Sequence, residues 1–237
     1  MIEFLFLDLD DTILDFHKAE RLAIAKTFRS FGLEPTEAVL NRYHEINKLH
    51  WQRLERGEIT RDQVLVGRFR MLFEELGHTV DPAAVAKSYE TNLGIGHYFL
   101  PGALEAVQAL QGKYRLFLAS NGTASVQHSR LTSAGLYPYF EKVFVSQDLG
   151  FNKPAREFFD ACARQIPGFD RAKAMMVGDS LSSDILGGKN AGFSTCWVNP
   201  AHKKSPAEIQ PDYEIDALSQ LPGLLRKLEG GTDWRNE

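Results

Sequence analysis

A chain of 237 residues that is 43% hydrophobic and 24% charged has the composition of a folded globular protein, and it is long enough to bury a large core. Its net charge of −4 leaves no basic surface for a long polyanion, so polymeric nucleic acid is not an expected partner, whereas a single phosphate needs only a local site. The first residues carry no basic region, and no apolar run approaches the ~20 residues of a membrane helix, so a cytoplasmic protein without a membrane partner is expected.

The first predicted strand covers residues 4–9, where the apolar run Phe4-Leu5-Phe6-Leu7 enters Asp8-Leu9-Asp10-Asp11-Thr12. Carboxylates crowded at the end of a buried strand repel one another and lose hydration, so such an end calls for a cation. A turn with a helix N-cap is the other reading of the same residues. Residues 17–99 then show helical periodicities and no convincing strand. Ile24, Phe28 and Phe31 fall on one helical face; Leu65, Phe69, Leu72, Phe73 and Leu76 fall on another. An interval of roughly eighty residues is far longer than a strand-to-helix connection requires, which predicts an inserted helical domain.

From Pro101 onward, predicted helices at 101–111, 123–134, 154–165 and 184–191 alternate with predicted strands at 115–120, 143–146, 174–177 and 194–198. Pro101 and Pro154 suit the first turn of a helix. Alternation of this kind implies right-handed crossovers and a parallel sheet covered on both faces. The expected fold is therefore α/β: a Rossmann-like core from residues 1–16 and 100–229, a helical insert at 17–99, and a polar, flexible tail at 230–237. Cys162 and Cys196 lack metal-ligand spacing and read as small core hydrophobes. His44, His50 and His97 also lack ligand-like spacing and are assigned to the surface or the insert.

Three further strand ends finish in polar groups: Ser120-Asn121-Gly122-Thr123, Asn152-Lys153-Pro154, and Gly178-Asp179-Ser180 with Asp184 beyond it. Each alone is ordinary turn chemistry. The strand ends of one parallel sheet, however, open on a common edge, where ligands of such sheets bind. Brought together, Asp8, Asp10, Asp179 and Asp184 are hard oxygen ligands suited to Mg²⁺. Ser120 and the amides of Asn121 and Gly122 offer donors to phosphate oxygens, and Lys153 offers one positive charge. One carboxylate can attack phosphorus to give an aspartyl-phosphate, and a second carboxyl can protonate the leaving oxygen and then activate water.

In order, Asp8-x-Asp10-x-Thr12, Ser120, Lys153 and Gly178-Asp179-x4-Asp184 resemble the four motifs of the haloacid dehalogenase-like superfamily, and the insert resembles its C1-type cap. The resemblance spans nearly the whole chain. It implies that Asp8 is the nucleophile and a metal ligand, and that Asp10 is the acid/base whose carbonyl also reaches Mg²⁺. It further implies that Asp179 ligates the metal with Asp184 in support, and that Ser120 and Lys153 hold the phosphoryl group. Dehalogenation would leave Asp10, Asp179 and Asp184 without a task. A phosphomutase would hold a second phosphate through cap residues such as Arg42, Lys48, Arg53, Arg56, Arg68 or Arg70. A phospho-accepting signalling module is the non-enzymatic alternative, and an eighty-residue insert argues against it.

Within the insert, Ile46-Asn47-Lys48-Leu49-His50-Trp51, Gly57-Glu58-Ile59-Thr60 and Gly67-Arg68-Phe69 resemble the cap of bacterial pyrimidine 5'-nucleotidases of this superfamily. So do Gly187-Gly188-x-Asn190-Ala191-Gly192 and Ser194-Thr195-Cys196-Trp197-Val198-Asn199. That likeness implies that Asn47, Trp51 and Arg68 face the base, although Trp51 is equally suited to core packing. The expected activity is Mg²⁺-dependent hydrolysis of a small phosphomonoester, most specifically a nucleoside 5'-monophosphate. A phosphatase for a sugar phosphate, or a mutase, is the alternative.

Overall fold

The structure is a computed structural model and describes residues 1–230. Six strands form one parallel sheet: β1 (Phe4–Leu7), β2 (Arg115–Ser120), β3 (Lys142–Val145), β4 (Ala174–Gly178), β5 (Ser194–Val198) and β6 (Tyr213–Ile215), in the order β3-β2-β1-β4-β5-β6. Every residue of β1 is buried, as a central parallel strand covered on both faces requires. Side-chain alternation sends Phe4 and Phe6 into an aromatic cluster with Phe117, Phe144, Phe158 and Phe159. Leu5 and Leu7 join Val107, Leu116 and Leu118 on the other face.

Because β1 pairs with β2 on one side and β4 on the other, the chain order reverses across it, and the residue after β1 stands at the switch point. That residue is Asp8, whose amide donates to the Val177 carbonyl at 2.9 Å. The predicted strand 4–9 ends early, at Leu7. The chain turns there, with Leu9 O accepting from both Ile13 N at 3.0 Å and Leu14 N at 2.9 Å.

Four helices fill the interval after β1: α1 (Phe16–Ser30), α2 (Glu37–Glu55), α3 (Arg61–Leu76) and α4 (Pro82–Leu93). Each starts at a residue chosen for the purpose. Asp15, Thr36 and Asp81 accept from the first-turn amides of α1, α2 and α4, while Thr60 and Gln63 make a reciprocal capping box on α3. The four helices bury Ile24, Phe28, Tyr43, Phe69, Leu72 and Tyr89 in a core separate from both faces of the sheet. Leu76, expected on the buried face of α3, is 38% exposed, and Val64 takes a place in the core in its stead.

The sheet is covered by α5 (Ala103–Leu110), α6 (Ala124–Ser133), α7 (Ser146–Leu149), α8 (Arg156–Ala163), α9 (Leu186–Ala191) and α10 (Leu221–Gly230). Pro101 and Pro154 lie ahead of the N-caps Gly102 and Ala155 rather than in the first turns. Asp184 lies in a π-helical turn, Leu181–Ile185, that leads into α9. The sixth strand escapes the sequence pattern because it is three residues long and its central Glu214 is exposed. Gly230, expected to open the tail, closes α10, and the rest of that tail, 231–237, lies outside the described residues. Cys162 and Cys196 are buried free thiols. Among the described residues no helix is long and apolar enough to cross a membrane.

The insert leaves and re-enters the core at one place. Leu14 and Phe99 form an antiparallel bridge, Asp15 N donates to Tyr98 O at 2.8 Å, and Leu100 N donates to Ile13 O at 3.0 Å.

Candidate active site

The β1, β2 and β4 ends converge with the loop before α8 on a buried ammonium. Lys153 Nζ donates to Asp8 Oδ1 at 2.7 Å, Asp184 Oδ1 at 2.6 Å and the Ala119 carbonyl at 2.6 Å, which uses all three of its protons. Asn121 aims the lysine through a reciprocal clasp: its Nδ2 donates to Lys153 O and its Oδ1 accepts from Lys153 N, both at 2.8 Å. Asp184 also accepts from Ser180 N at 3.1 Å. It packs so close to Gly178 that a Cβ there would lie 2.2 Å from Asp184 Oδ2, so the motif glycine is a steric requirement.

One ammonium does not neutralise this edge. Asp8, Asp179 and Asp184 each bring a carboxylate oxygen to within 4.8 Å of the others. Burial, opposed by Lys153 and reinforced by Asp184 and Asp10, pushes the Asp8 carboxyl up to about 8. Burial and the charges of Asp184 and Asp8 hold Asp179 well above the usual carboxylate range. Lys153 moves upward too: burial alone would lower it, but Asp184 and Asp8 outweigh that effect. An all-oxygen donor set with surplus negative charge fits a hard divalent cation such as Mg²⁺, and no thiol or imidazole stands among these three carboxylates to favour a softer ion.

Asp10 is placed differently. Its Oδ2 accepts from Gln127 Nε2 at 2.6 Å and its Oδ1 from Arg130 Nη1, while Arg130 Nε donates to Gly96 O at 2.7 Å. Gln127 Nε2 also reaches Ser120 Oγ at 2.8 Å, linking the β1 and β2 ends. Gly122 is required here as well, since a Cβ would lie 2.4 Å from Gln127 Nε2. Its amide points to Ser120 Oγ at 3.2 Å. Asp11 adopts the left-handed region at φ 54, and its Oδ1 accepts from Phe16 N at 2.9 Å, capping α1. Burial, opposed by His17 and reinforced by the like charge of Asp10, raises the Asp11 carboxyl to about 6.

The insert roofs this edge. A cavity of about 240 Å³ is bounded below by Asp8, Asp10, Ser120 and Lys153 and above by Trp51, Glu55, Arg68 and Glu90. Arg61 spans roof to floor: it donates to the carbonyls of Asn121 and Gly122, both at 3.1 Å, to Ser146 Oγ at 2.6 Å and to Asn152 Oδ1 at 2.8 Å. Its guanidinium lies 5.5 Å from the Trp51 ring centroid. Glu55 accepts from Ser182 Oγ at 3.0 Å, and burial raises its carboxyl to about 7.

Sequence reasoning named Asp8, Asp10, Ser120, Asn121, Gly122, Lys153, Asp179, Trp51 and Arg68, all of which line the cavity, and Asp184, which stands behind Lys153. Asn47 does not line it. Its Nδ2 donates to Glu20 Oε1 at 2.6 Å and its Oδ1 accepts from Arg68 Nη1 at 2.7 Å, so the amide is engaged inside the cap. His50 is buried on the Ile46 carbonyl, and His44 pairs with Glu20. Of the cations offered for a second phosphate, Arg42, Arg53 and Arg56 pair with glutamates on exposed surface, Lys48 borders a neighbouring cleft, and Arg70 is exposed. Only Arg68 reaches the cavity. Gln127, Arg130, Arg61, Glu55 and Glu90 went unnoticed in the sequence.

This is the site of a hydrolase, and the chain belongs to the haloacid dehalogenase-like hydrolases, whose family model matches residues 2–192. It is an enzyme of the phosphatase kind, with relatives named as phosphatases and 5'-nucleotidases. The HAD-hydrolase YfnB of Bacillus subtilis is 40% identical over 93% of this chain and 94% of its own length. A crystal structure of YfnB, bound to magnesium and revealing interdomain movement, superposes with a TM-score of 0.90 at 39% identity, covering 94% of this chain and 98% of that one. Pyrimidine 5'-nucleotidase PynA of Streptococcus pneumoniae is 37% identical over 95% of both chains. Pyrimidine 5'-nucleotidase YjjG of Escherichia coli is 32% identical over 95% of this chain and 98% of its own.

Proposed function

We propose that this protein hydrolyses nucleoside 5'-monophosphates, preferring pyrimidines, with Mg²⁺ as cofactor and Asp8 as nucleophile. The observation that carries this reading is the pairing of a charged floor, Asp8 on Lys153 beside Asp179 and Asp184, with a small cavity roofed by Trp51 and Arg68. A volume of about 240 Å³ lies below the roughly 300–1,000 Å³ of pockets for drug-sized ligands, which supports a small phosphomonoester over a longer chain. Trp51 offers a face for stacking, and Arg68 offers donors to the carbonyl oxygens of a pyrimidine. The names of PynA and YjjG support the same substrate class.

When bound by Asp8, Asp179 and Asp184, Mg²⁺ supplies charge neutralisation for the phosphoryl oxygens and for the surplus carboxylates. An Asp8 oxygen attacks phosphorus, and the ester bond to the nucleoside breaks. The departing alkoxide takes its proton from Asp10, which first exchanges a bond to Arg130 or Gln127 for one to the ester oxygen. Asp10 then removes a proton from water, whose oxygen attacks the same phosphorus, so that inorganic phosphate leaves and Asp8 is regenerated. Ser120 donates its hydroxyl to a phosphoryl oxygen, while Lys153, its three protons engaged by Asp8, Asp184 and the Ala119 carbonyl, lends its positive charge beside the attacking oxygen.

Phosphate release should be measured with and without Mg²⁺ on UMP, dUMP, dTMP, AMP, glucose 6-phosphate and glycerol phosphate. Metal-dependent preference for the pyrimidine nucleotides is the expected result. Equal or greater turnover of a sugar phosphate would reject the substrate while retaining the core mechanism.

A further inference from the structure

A second ligand-bearing cluster lies in the cap, away from the catalytic floor. His17 and Glu20 stand one turn apart on α1, and His44 faces them from α2; each brings a ligand atom to within 4.8 Å of the other two. His44 Nδ1 is 2.7 Å from Glu20 Oε2, and the two imidazole rings are 4.6 Å apart between centroids. Glu20 is 3% exposed, and its carboxylate is held in place by side-chain partners on both oxygens. Asn47 binds its other oxygen from behind, and Arg68 fixes Asn47 in turn. Outer partners of this kind orient a metal ligand before the ion arrives. A cavity of about 240 Å³ opens beside the three side chains, and the largely exposed His17 gives access from solvent. Of the neighbouring cations, Arg21 is paired with Glu37 and Asn41, and Lys48 stands one turn along α2 from His44.

We propose that His17, Glu20 and His44 bind a divalent transition ion of the zinc class, at a site separate from the Mg²⁺ site. Two imidazole nitrogens and one carboxylate oxygen are a three-ligand set that leaves a fourth position for water. Ligand chemistry sorts the two sites, since Mg²⁺ favours the all-oxygen floor and a borderline ion favours the imidazoles. The site also touches the catalytic loop. His17 Nε2 lies 3.5 Å from Asp11 Oδ2, and Asp11 borders the catalytic cavity, so His17 turning to an ion would give up that contact.

The test uses the full chain, stripped with a chelator and then held in excess Mg²⁺ so that the carboxylate floor is filled. Co²⁺ is titrated in as a spectroscopic probe, followed by Zn²⁺ as competitor. One equivalent of Co²⁺ should bind with the intense visible absorption of a four- or five-coordinate site, and Zn²⁺ should bleach it. His17→Gln changes an exposed residue and should leave the fold intact by circular dichroism. It and His44→Gln should each weaken binding by more than the roughly 10–100-fold typical of losing an outer partner. Asp179→Asn should keep the signal. The proposal is overturned if no such absorption appears in Mg²⁺, if both histidine variants bind like the parent, or if Asp179→Asn abolishes the band.

Discussion

The sheet edge and the cap both bury charge, but they secure it by different means. At the edge, Asp8, Lys153 and Asp184 come from three separate segments and meet because parallel strands end side by side. In the cap, Glu20, Asn47, Arg68 and His44 come from adjacent helices and are placed by how those helices pack. Backbone topology fixes the first arrangement, and a register change would destroy the sheet with it. Side-chain packing fixes the second, which a few substitutions can reshape without loss of the fold. The carboxylates of the candidate site thus stand on the part that resists change, and the roof over them on the part that permits it.

The sharpest break in that comparison is Asp8→Asn, which should lower phosphate release by on the order of 10⁴-fold or more on every substrate while the protein stays folded. Turnover close to that of the parent would show that the nucleophile lies elsewhere. Next comes Lys153→Ala, which strands Asp8 and Asp184 without their shared cation. Breaking such a buried pair typically costs about 3–5 kcal/mol, so denaturant unfolding should show a loss of that order alongside the lost activity. A stability unchanged within error would mean that the charges are relieved in some other way.

Arg61→Ala tests the contact between the two regions. It removes the donors that tie the cap to the carbonyls of Asn121 and Gly122, and kcat/KM on a nucleotide should fall by about tenfold, mainly through KM. A nitrophenyl ester, which needs less of the roof, should lose less; equal losses would indicate damage to the floor instead. The smallest effect is one of pH. Burial raises Glu55 to about 7 in the folded protein from its ordinary 4.5, so its contribution to stability is complete below pH 4.5 and is lost as pH rises through 7. Glu55→Gln should therefore gain on the parent by about 1–2 kcal/mol between pH 4.5 and 8, after allowance for partial solvent screening. Parallel pH–stability curves for the two proteins would refute this.

The same division decides what the sequence revealed. Asp8, Ser120 and Asp179 were legible because each ends or follows an apolar run, and parallel strands carry such residues to one edge; Lys153 lies beyond β3, after the short α7, and was legible through its Asn-Lys-Pro turn. The cap resisted because a helical face identifies its buried side but not its partners: Asn47 reads as a base contact and proves to be an internal strut. Gln127 and Arg130 hid in α6 as an ordinary polar face, three residues apart, although both reach Asp10. One signal was available and unused. Glu55 ends α2 and Arg61 begins α3, each opposite to the sign that a helix dipole favours there, and both reach across to the core. Charges placed against a helix dipole mark residues held by something outside the helix.

The paired linkers at Leu14 and Phe99 have a consequence for how such a protein can be altered. Strands bridged in antiparallel fashion have their Cα atoms only about 5 Å apart, so everything between them is a closed excursion from one point of the core. A short turn would span that gap. The insert is therefore joined to the core through one narrow neck, and that neck is where a different set of helices could be spliced onto the same sheet edge.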